Sequence, residues 1–556
     1  MAEKFEDNGA EKYQIDQMHD VDTADNLAAE QVGLKRDLRL RHMIMIAISG
    51  TIGTGLFLTS GRAIATAGPA GALVSYALIG VWLVFVCQAI GEIATLLPLP
   101  GAFNAWGARV FDEAFSFQMT WMYFMNWALT IPAELSAAAV ITEFWSAGTG
   151  FPSWVVCVLI IAVMVVVNLF GVKAYGELEY WFSILKVCTI IMFIICGICV
   201  DAGWIGNPAV VYGLDSWTIP DSPFKGGFLA FIKTLVSTGF AYGGTEMTGV
   251  TAAESRNPHK HVPRAVNTVL IRIAFFYITS VFLLGAIIRH DDPGLLNPDG
   301  SAKGAAFTLV FLKAGINGAA NFMNAVVFTS IFSAINSDFY IATRMLLSLS
   351  RNGWAHKSIG YTNKRGVPLV ALAIITGCSC LSLITIFVGS GVVFQWFVSI
   401  IGSIILQSWI LILFLHFRFR YCWKKQGRAV NDLPYVSWGY PYGSILATII
   451  GLFVLGCNFY LSVMSPPSHP GDNATPEQLT DYAKNRDDFI KNLLGTWFPW
   501  VFSAMLFFGY KFARGTKLVK AEEADLDTGR FIPTPKDVQE LQTKQPLYKR
   551  FFKVFL

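Results

Sequence analysis

Glycine interrupts the first apolar stretch of the chain at Gly50, Gly53 and Gly55, within the segment Ser49-Gly50-Thr51-Ile52-Gly53-Thr54-Gly55-Leu56-Phe57. The uncharged run from Met43 to Gly61 approaches the ~20 residues that a membrane-spanning helix needs. Each glycine costs a helix about 1 kcal/mol relative to alanine. Broken backbone in lipid finds no water, so it persists only where it is buried or lines a cavity. The segment therefore predicts a discontinuous transmembrane helix whose centre binds a small zwitterion, with the following half-helix facing an anionic group.

A second apolar stretch carries a similar interruption, at Gly239, Gly243 and Gly244. It lies in the sixth apolar span of the chain. Transporters built from inverted repeats place interrupted helices at corresponding positions of their two halves. The alternative is that these small residues mark close helix–helix packing. The positions, first and sixth in order, favour two five-helix repeats with broken helices 1 and 6.

The composition is that of a polytopic membrane protein. Of the 556 residues, 54% are hydrophobic and only 14% are charged, whereas soluble proteins carry roughly 25% charged residues. Eight of the nine cysteines fall in apolar spans, where cysteine acts as a small hydrophobe, and none has metal-ligand spacing. We therefore expect no metal and no cofactor. The first 41 residues are polar, so we expect no cleavable signal peptide.

The lengths of the apolar runs predict an all-α protein with twelve transmembrane helices, called spans one to twelve here. Their extents are 42–66, 71–97, 115–145, 153–172, 178–200, 226–254, 265–288, 318–350, 367–388, 392–416, 443–464 and 492–512. This gives a disordered acidic tail over 1–41, a first repeat over 42–200 and a second repeat over 226–416. Spans eleven and twelve occupy 443–512, and a second tail covers 513–556.

Basic residues concentrate in alternate loops, which sets the expected orientation. The loops after spans six, eight and ten contain Arg256, Lys260, Arg264, Arg351, Lys357, Lys364, Arg365, Arg418, Arg420, Lys424, Lys425 and Arg428. By the positive-inside rule, these loops and both termini are cytoplasmic. The sequon at Asn473 then lies outside, as a glycosylation site or as a chance match.

Ionisable residues within spans are costly and suggest functional sites. Glu134 lies in the middle of span three, four residues after Thr130, and Lys186 lies in the inner half of span five. Glu246 follows the break in span six. The alternative for each is a structural ion pair or a side chain that reaches the interface. Asp338 in span eight is left undecided.

Several motifs of the chain resemble those of the fungal amino-acid permeases of the amino acid–polyamine–organocation superfamily, over about 35–515. They are Leu34-Lys35-Arg36 with Arg41-His42, Gly53-Thr54-Gly55-Leu56-Phe57, Gly244-Thr245-Glu246, Ala252-Ala253-Glu254-Ser255-Arg256-Asn257-Pro258, Ser333-Ala334-Ile335-Asn336-Ser337 with Arg344, Gly366-Val367-Pro368, and Arg418-Phe419-Arg420 with Gln426-Gly427-Arg428.

The resemblance implies a leucine-transporter-like 5+5 inverted repeat and proton-coupled amino-acid uptake at the plasma membrane. It places the ligand carboxylate at the backbone of Thr54 and Gly55, and the ligand ammonium at carbonyls near Thr51, Phe240 and Gly243. Gly53, Gly244 and Thr130 complete the expected substrate site. The position of Phe240 just before the break in span six suits a side chain that closes over the ligand, and core packing is the alternative. Glu134 matches an acidic family position.

Lys186 matches a lysine that stands where sodium-coupled relatives hold an ion. With Glu134 and Glu246 it forms the expected proton-coupling set. We expect the hydroxyls of Ser333 or Ser337 among its partners. In span ten the family usually has Asn and Thr where this chain has Ser399 and Ile401, so these two positions are expected to face the ligand side chain.

Three other functions compete with an amino-acid symporter working by alternating access. A transporter of amines or ammonium compounds, such as a polyamine or carnitine, would also use an acidic residue like Glu134. A non-transporting amino-acid sensor usually has a long cytosolic extension, which this chain lacks. An ion channel would need a repeated selectivity-filter loop, and none is evident.

The sequence contains no Gly-x-x-x-x-Gly-Lys-Ser/Thr motif for an ATP-driven pump and no catalytic constellation, so no enzymatic activity is expected. The expected partners are a small amino acid or amine, a proton and the lipid bilayer, with no nucleic acid. Lys4 and Lys12 in the acidic tail are accessible sites for ubiquitin-ligase machinery.

Overall fold

The computed structural model describes residues 52–99, 101–146, 149–169, 172–250, 252, 255, 257–297, 304–363, 366–464 and 475–531. These residues form helices and loops and contain no β-strand. Thr51, the first half of span one, Lys4, Lys12, Asn473 and the chain after 531 lie outside the described residues. The expectations for them stay predictions.

Each predicted span from two to twelve contains a helix at its expected place. The helices are Ser60–Leu96, Glu113–Ser146, Trp154–Leu169, Val172–Asp201, Gly227–Ala241 with Met247–Val250, Pro258–Asn267, Val269–Arg272 and Thr279–Ile287, Asn317–Arg351, Leu369–Ser379 with Thr385–Val388, Ser390–Lys425, Tyr442–Val463 and Pro476–Arg514. Two further helices, Phe103–Val110 and Ala306–Lys313, lie between spans.

Nine helices of the described part are long and apolar enough to cross a membrane. The first of them, Gly55–Leu96, joins spans one and two across a kink at Gly68, whose φ of 76° suits glycine, and Pro69. The helices of spans four and six, Trp154–Leu169 and Gly227–Ala241, are shorter and apolar. The multi-span helical fold is confirmed, while the count of twelve and the inverted repeat stay predictions.

The break in span six lies where the glycines predict it. The helix ends at Ala241 and resumes at Met247, and Gly244 between them has a φ of 91°. The Tyr277 hydroxyl donates to the Ala241 carbonyl at 3.0 Å, and the Thr245 hydroxyl donates to the Tyr242 carbonyl at 2.9 Å. Side-chain hydroxyls thus help to satisfy the carbonyls at the break.

The second half of span one begins with a π-helical turn, Gly55–Thr59. The N–H groups of Leu56 and Phe57 both donate to the Gly53 carbonyl, at 3.1 and 3.3 Å. The Thr54 and Gly55 N–H groups therefore precede the first intrahelical bond, as at any helix start. This half-helix packs directly on span six, because a Cβ at Gly55 would overlap the Ala241 Cα.

Span three forms the centre of the helical packing. It contacts spans eight, ten and twelve, and it is the most buried of the nine long helices. Its lack of a polar stripe suits a helix surrounded by other helices.

Residues 515–531, called the strap here, run across one end of the bundle. The Val519 N–H donates to the Phe111 carbonyl at 2.8 Å, and the Phe531 N–H donates to the Leu96 carbonyl at 3.2 Å. Leu526 is fully buried. The strap thus joins the end of span two to the segment before span three.

Residues at the end of span ten and just after it also form hydrogen bonds with the strap. The Arg418 guanidinium donates to the Val519 carbonyl at 2.6 Å, and Gln426 donates to the Ala524 carbonyl at 2.7 Å. Arg428 binds both oxygens of Asp527, which keeps the pKa of that carboxyl below its ordinary value. The strap therefore connects the end of span two, the segment before span three and the end of span ten.

The contact between Gly55 and Ala241 generates a stability prediction. Gly55→Ala forces the two half-helices apart, and we expect a loss of about 1–3 kcal/mol from overpacking. Thermal unfolding of the purified protein, monitored by size-exclusion chromatography, measures this loss of stability. Gly456→Ala is the control, because a Cβ there meets nothing within 4 Å and alanine favours a helix. Equal melting of the two variants would contradict the packing role.

The Arg428–Asp527 pair generates a prediction about the strap. Asp527→Asn removes an exposed pair worth about 0.2–1 kcal/mol, so the Val519 and Phe531 amides should exchange hydrogen about 1.5- to 5-fold faster. Because the folded pKa of Asp527 is lowered, the pair stabilises the strap above the ordinary carboxyl pKa of about 4. That contribution is lost as pH falls through the lowered value.

Hydrogen exchange with mass spectrometry tests this, and Glu522→Gln is the matched control. Glu522 is an exposed acid of the same strap. If Glu522→Gln accelerates exchange at Val519 and Phe531 as much as Asp527→Asn does, the effect comes from net charge and the assigned pair is wrong.

Candidate functional site

A cavity of about 90 Å³ lies where the breaks in spans one and six meet spans three, five, eight and ten. A buried water needs roughly 10–15 Å³ of such cavity space, so the cavity accommodates several waters or a small polar ligand. Nine residues expected at the substrate or proton site line it: Gly53, Thr54, Gly55, Thr130, Glu134, Lys186, Phe240, Gly243 and Gly244. The cavity thus collects residues from both halves of the chain.

The backbone at the two breaks offers both kinds of hydrogen-bonding group to the cavity. The start of the half-helix at Thr54 and Gly55 presents N–H groups and the positive end of a helix dipole. At the break in span six, which also lines the cavity, the Phe240 carbonyl accepts from the Gly243 N–H at 3.1 Å and from the Tyr242 N–H. This arrangement can bind a carboxylate and an ammonium group side by side.

Glu134 connects span three to the break in span one. Its carboxylate accepts a hydrogen bond from the Thr54 hydroxyl, and its side chain is buried. Thr130, one turn earlier, also lines the cavity and donates to the Asn126 carbonyl at 2.7 Å. Glu134 therefore lies at the main-chain end of the candidate ligand site.

Lys186 is buried in the cavity wall, with only 2% of its surface exposed. It interacts electrostatically with Glu179, Glu134 and Asp338, and Glu179 contributes most. Ser333, expected beside Lys186, donates to both oxygens of Glu179, each at 3.1 Å. The lysine is therefore held within a cluster of three carboxylates, and Ser333 acts on it through Glu179.

Aromatic and aliphatic side chains form the rest of the wall. Phe240 packs edge-on against Phe394 of span ten, with ring centroids 6.2 Å apart. Trp127 and Met247 line the cavity, together with Ile341, Ile401 and Ile405. The lid role expected from the position of Phe240 stays a prediction beside the alternative of core packing.

The structure corrects the expectation for Ser399. Its hydroxyl donates to the Gln395 carbonyl at 3.0 Å, and its Cβ lies 3.6 Å from the Cβ position of Gly495 in span twelve. Residues two apart on a helix point about 200° apart. Ile401 therefore faces the cavity while Ser399 faces span twelve.

Glu246 also lies outside the cavity wall, although it is buried. Its carboxylate interacts with backbone N–H groups of the break, at Gly244 and at Glu246 itself. These contacts hold the carboxylate against the broken segment just before the resumed helix, which favours a structural role. A part in proton coupling stays a prediction.

Glu179 and Asp338 are the acidic residues of the site that the sequence analysis did not assign. Glu179 precedes Lys186 by seven residues, two helical turns, so the two share one helix face. That spacing was a usable signal. For Asp338 no comparable signal existed, because its partners come from spans three and five.

Known proteins are similar to this chain over most of its length. The family model for amino acid permeases matches residues 42–483. The lysine-specific permease LysP of Escherichia coli (strain K12) is 38% identical over 496 residues, which cover 89% of this chain and 96% of that protein.

The histidine permease HisP of Lactococcus lactis subsp. cremoris (strain MG1363) is 38% identical over 495 residues, covering 89% and 98%. The amino-acid permease inda1 of Hypocrea atroviridis is 34% identical over 458 residues, covering 81% and 79%. The extent of these matches, together with the multi-span helical fold, shows that the chain belongs to the amino acid permease family and is an amino-acid transporter rather than an enzyme.

Proposed function

We propose that this permease is a proton-coupled amino-acid symporter of the plasma membrane that works by alternating access. The observation that carries the proposal is the burial of Lys186 beside the breaks of spans one and six, in a cavity that also holds three carboxylates. Ionisable groups inside a membrane are expensive and mark proton relays and ion pathways.

The main chain of the substrate is recognised by backbone at the breaks. The N–H groups at Thr54 and Gly55 bind the carboxylate, and the carbonyls near Phe240 and Gly243 bind the ammonium. Half-helix N-termini suit anions, and unwound carbonyls suit cations, in transporters with discontinuous helices. Thr51 belongs to the same proposed site.

Lys186 replaces a coupling metal ion in this mechanism. As an ammonium it holds Glu134, Glu179 and Asp338 of spans three, five and eight around the cavity. Loss or gain of a proton within this cluster changes how strongly these spans are tied to one another. The coupling proton thereby changes the balance between outward-open and inward-open forms.

The remaining parts of the proposal concern the surroundings of the membrane domain. Both termini are cytoplasmic in this proposal, which the basic loops support by the positive-inside rule. Lys4 and Lys12 are proposed attachment sites for ubiquitin, through which ligase machinery removes the permease from the membrane. Replacing both with Arg should lengthen surface residence after excess substrate is added.

Lys186→Met generates the central prediction. It keeps the long apolar stem and removes the charge, so we expect concentrative uptake driven by a pH gradient to fall at least about 10-fold. Exchange of substrate across proteoliposomes should survive, because exchange does not require the coupling step. Wild-type uptake should rise as external pH falls and should need no sodium.

The control for this experiment is Lys233→Met, an exposed lysine in the first half of span six. It removes the same charge away from the cavity. Normal concentrative uptake by Lys186→Met would assign Lys186 to a structural ion pair and remove the proposed coupling role.

Gly53→Val generates a prediction about main-chain recognition. A Cβ at Gly53 meets nothing within 4 Å and Gly53 lines the cavity, so the added side chain enters open space. Losing one or two charge-assisted contacts should reduce substrate affinity about 10- to 100-fold, with unchanged thermal stability. Equilibrium binding of labelled substrate measures this, and unchanged affinity would mean that the carboxylate binds elsewhere.

A further inference from the structure

We propose that the substrate carries a second positive charge on its side chain, and that Asp338 is the residue that selects it. The inference rests on the proposed function, because it assumes that the cavity binds an α-amino acid. It adds the chemical class of that amino acid, one with a cationic side chain.

The charge balance of the cavity is the first argument. Its wall holds three carboxylates, on Glu134, Glu179 and Asp338, against the single ammonium of Lys186 among the described residues. Glu179 is the strongest partner of Lys186 and is fixed by Ser333. A zwitterionic ligand adds no net charge. Two carboxylates therefore remain to be compensated by protons or by a cation of the ligand.

Lys186 attracts Asp338, but Asp338 is the cavity carboxylate that has a buried oxygen without a hydrogen-bond partner within the described residues. Only 4% of its surface is exposed, and its Oδ2 has no hydrogen-bond partner within the described residues. Glu134, in contrast, accepts from Thr54. A buried oxygen without a donor is costly, so Asp338 is the carboxylate that a ligand ammonium satisfies.

The wall around Asp338 suits the rest of such a side chain. Ile341 lies one turn further along the same helix, and Ile401 and Ile405 line the cavity from span ten. These groups offer apolar contact to a methylene stem, as long cationic side chains need. The α-carboxylate at Thr54 and the side-chain ammonium at Asp338 then fix both ends of one ligand.

A competition experiment tests this with the full-length protein in proteoliposomes. Uptake of labelled lysine is competed by lysine, by norleucine, which lacks only the terminal ammonium, and by cadaverine, which lacks the carboxylate. We expect lysine to compete about 10- to 100-fold better than norleucine, and cadaverine to compete weakly.

Asp338→Asn should lower the affinity for lysine about 10- to 100-fold relative to that for norleucine. Asp215→Asn, at an exposed acid outside the cavity, is the matched control and should change neither. Retained norleucine binding shows that the variant is folded. If Asp338→Asn does not fold, Asp338→Glu replaces it, because the longer acid should shift preference from lysine towards the shorter ornithine.

The outcomes separate this proposal from the one it rests on. Equal competition by lysine and norleucine in the wild type, or an unchanged ratio in both Asp338 variants, overturns the role of Asp338 while proton-driven amino-acid uptake stands. Competition by cadaverine as strong as that by lysine overturns the proposed α-carboxylate site itself, because the substrate is then an amine. Absence of any amino-acid uptake overturns the proposed function.

Discussion

Unpaired backbone polar groups inside a membrane are the constraint on which this architecture depends. A helix can be broken in lipid only where each freed N–H and C=O finds a partner or lines a cavity. At the span-six break, the hydroxyls of Tyr277 and Thr245 satisfy two of the carbonyls. Thr54 and Gly55, whose N–H groups precede the first intrahelical bond, instead line a cavity. A ligand that accepts hydrogen bonds from these N–H groups therefore also stabilises the broken helix.

The charges of the site follow the same logic. Lys186 and the three surrounding carboxylates are each costly alone in a low-dielectric interior. Attraction between the lysine and the carboxylates lowers that cost, and the hydroxyl of Ser333 donates a hydrogen bond to Glu179. Because the carboxylates outnumber the lysine, compensation is incomplete without protons or a ligand. In the proposed mechanism, proton and substrate act on this one cluster, which gives a direct physical route for coupling.

The break in span six was predictable from the sequence because clustered glycines destabilise a helix whatever surrounds it. Gly244 has the positive φ expected at such a break, and the helix resumes within three residues. The cavity residues of spans one, three, five and six were predictable because glycine and buried charge are local signals. Ser399 was misplaced because composition at one helix position does not fix the rotation of that helix. A role for Asp338 could not be assigned, because the charged groups that surround it lie on other helices.

Along the break in span one, one glycine is closely packed and another faces open space. Gly55 lies against Ala241 with no room for a side chain, so the two half-helices act as one packed unit. Gly53, two residues earlier, faces open cavity. The strap joins spans two, three and ten at one end of the bundle. A rearrangement that keeps the contact between Gly55 and Ala241 therefore moves the two half-helices together.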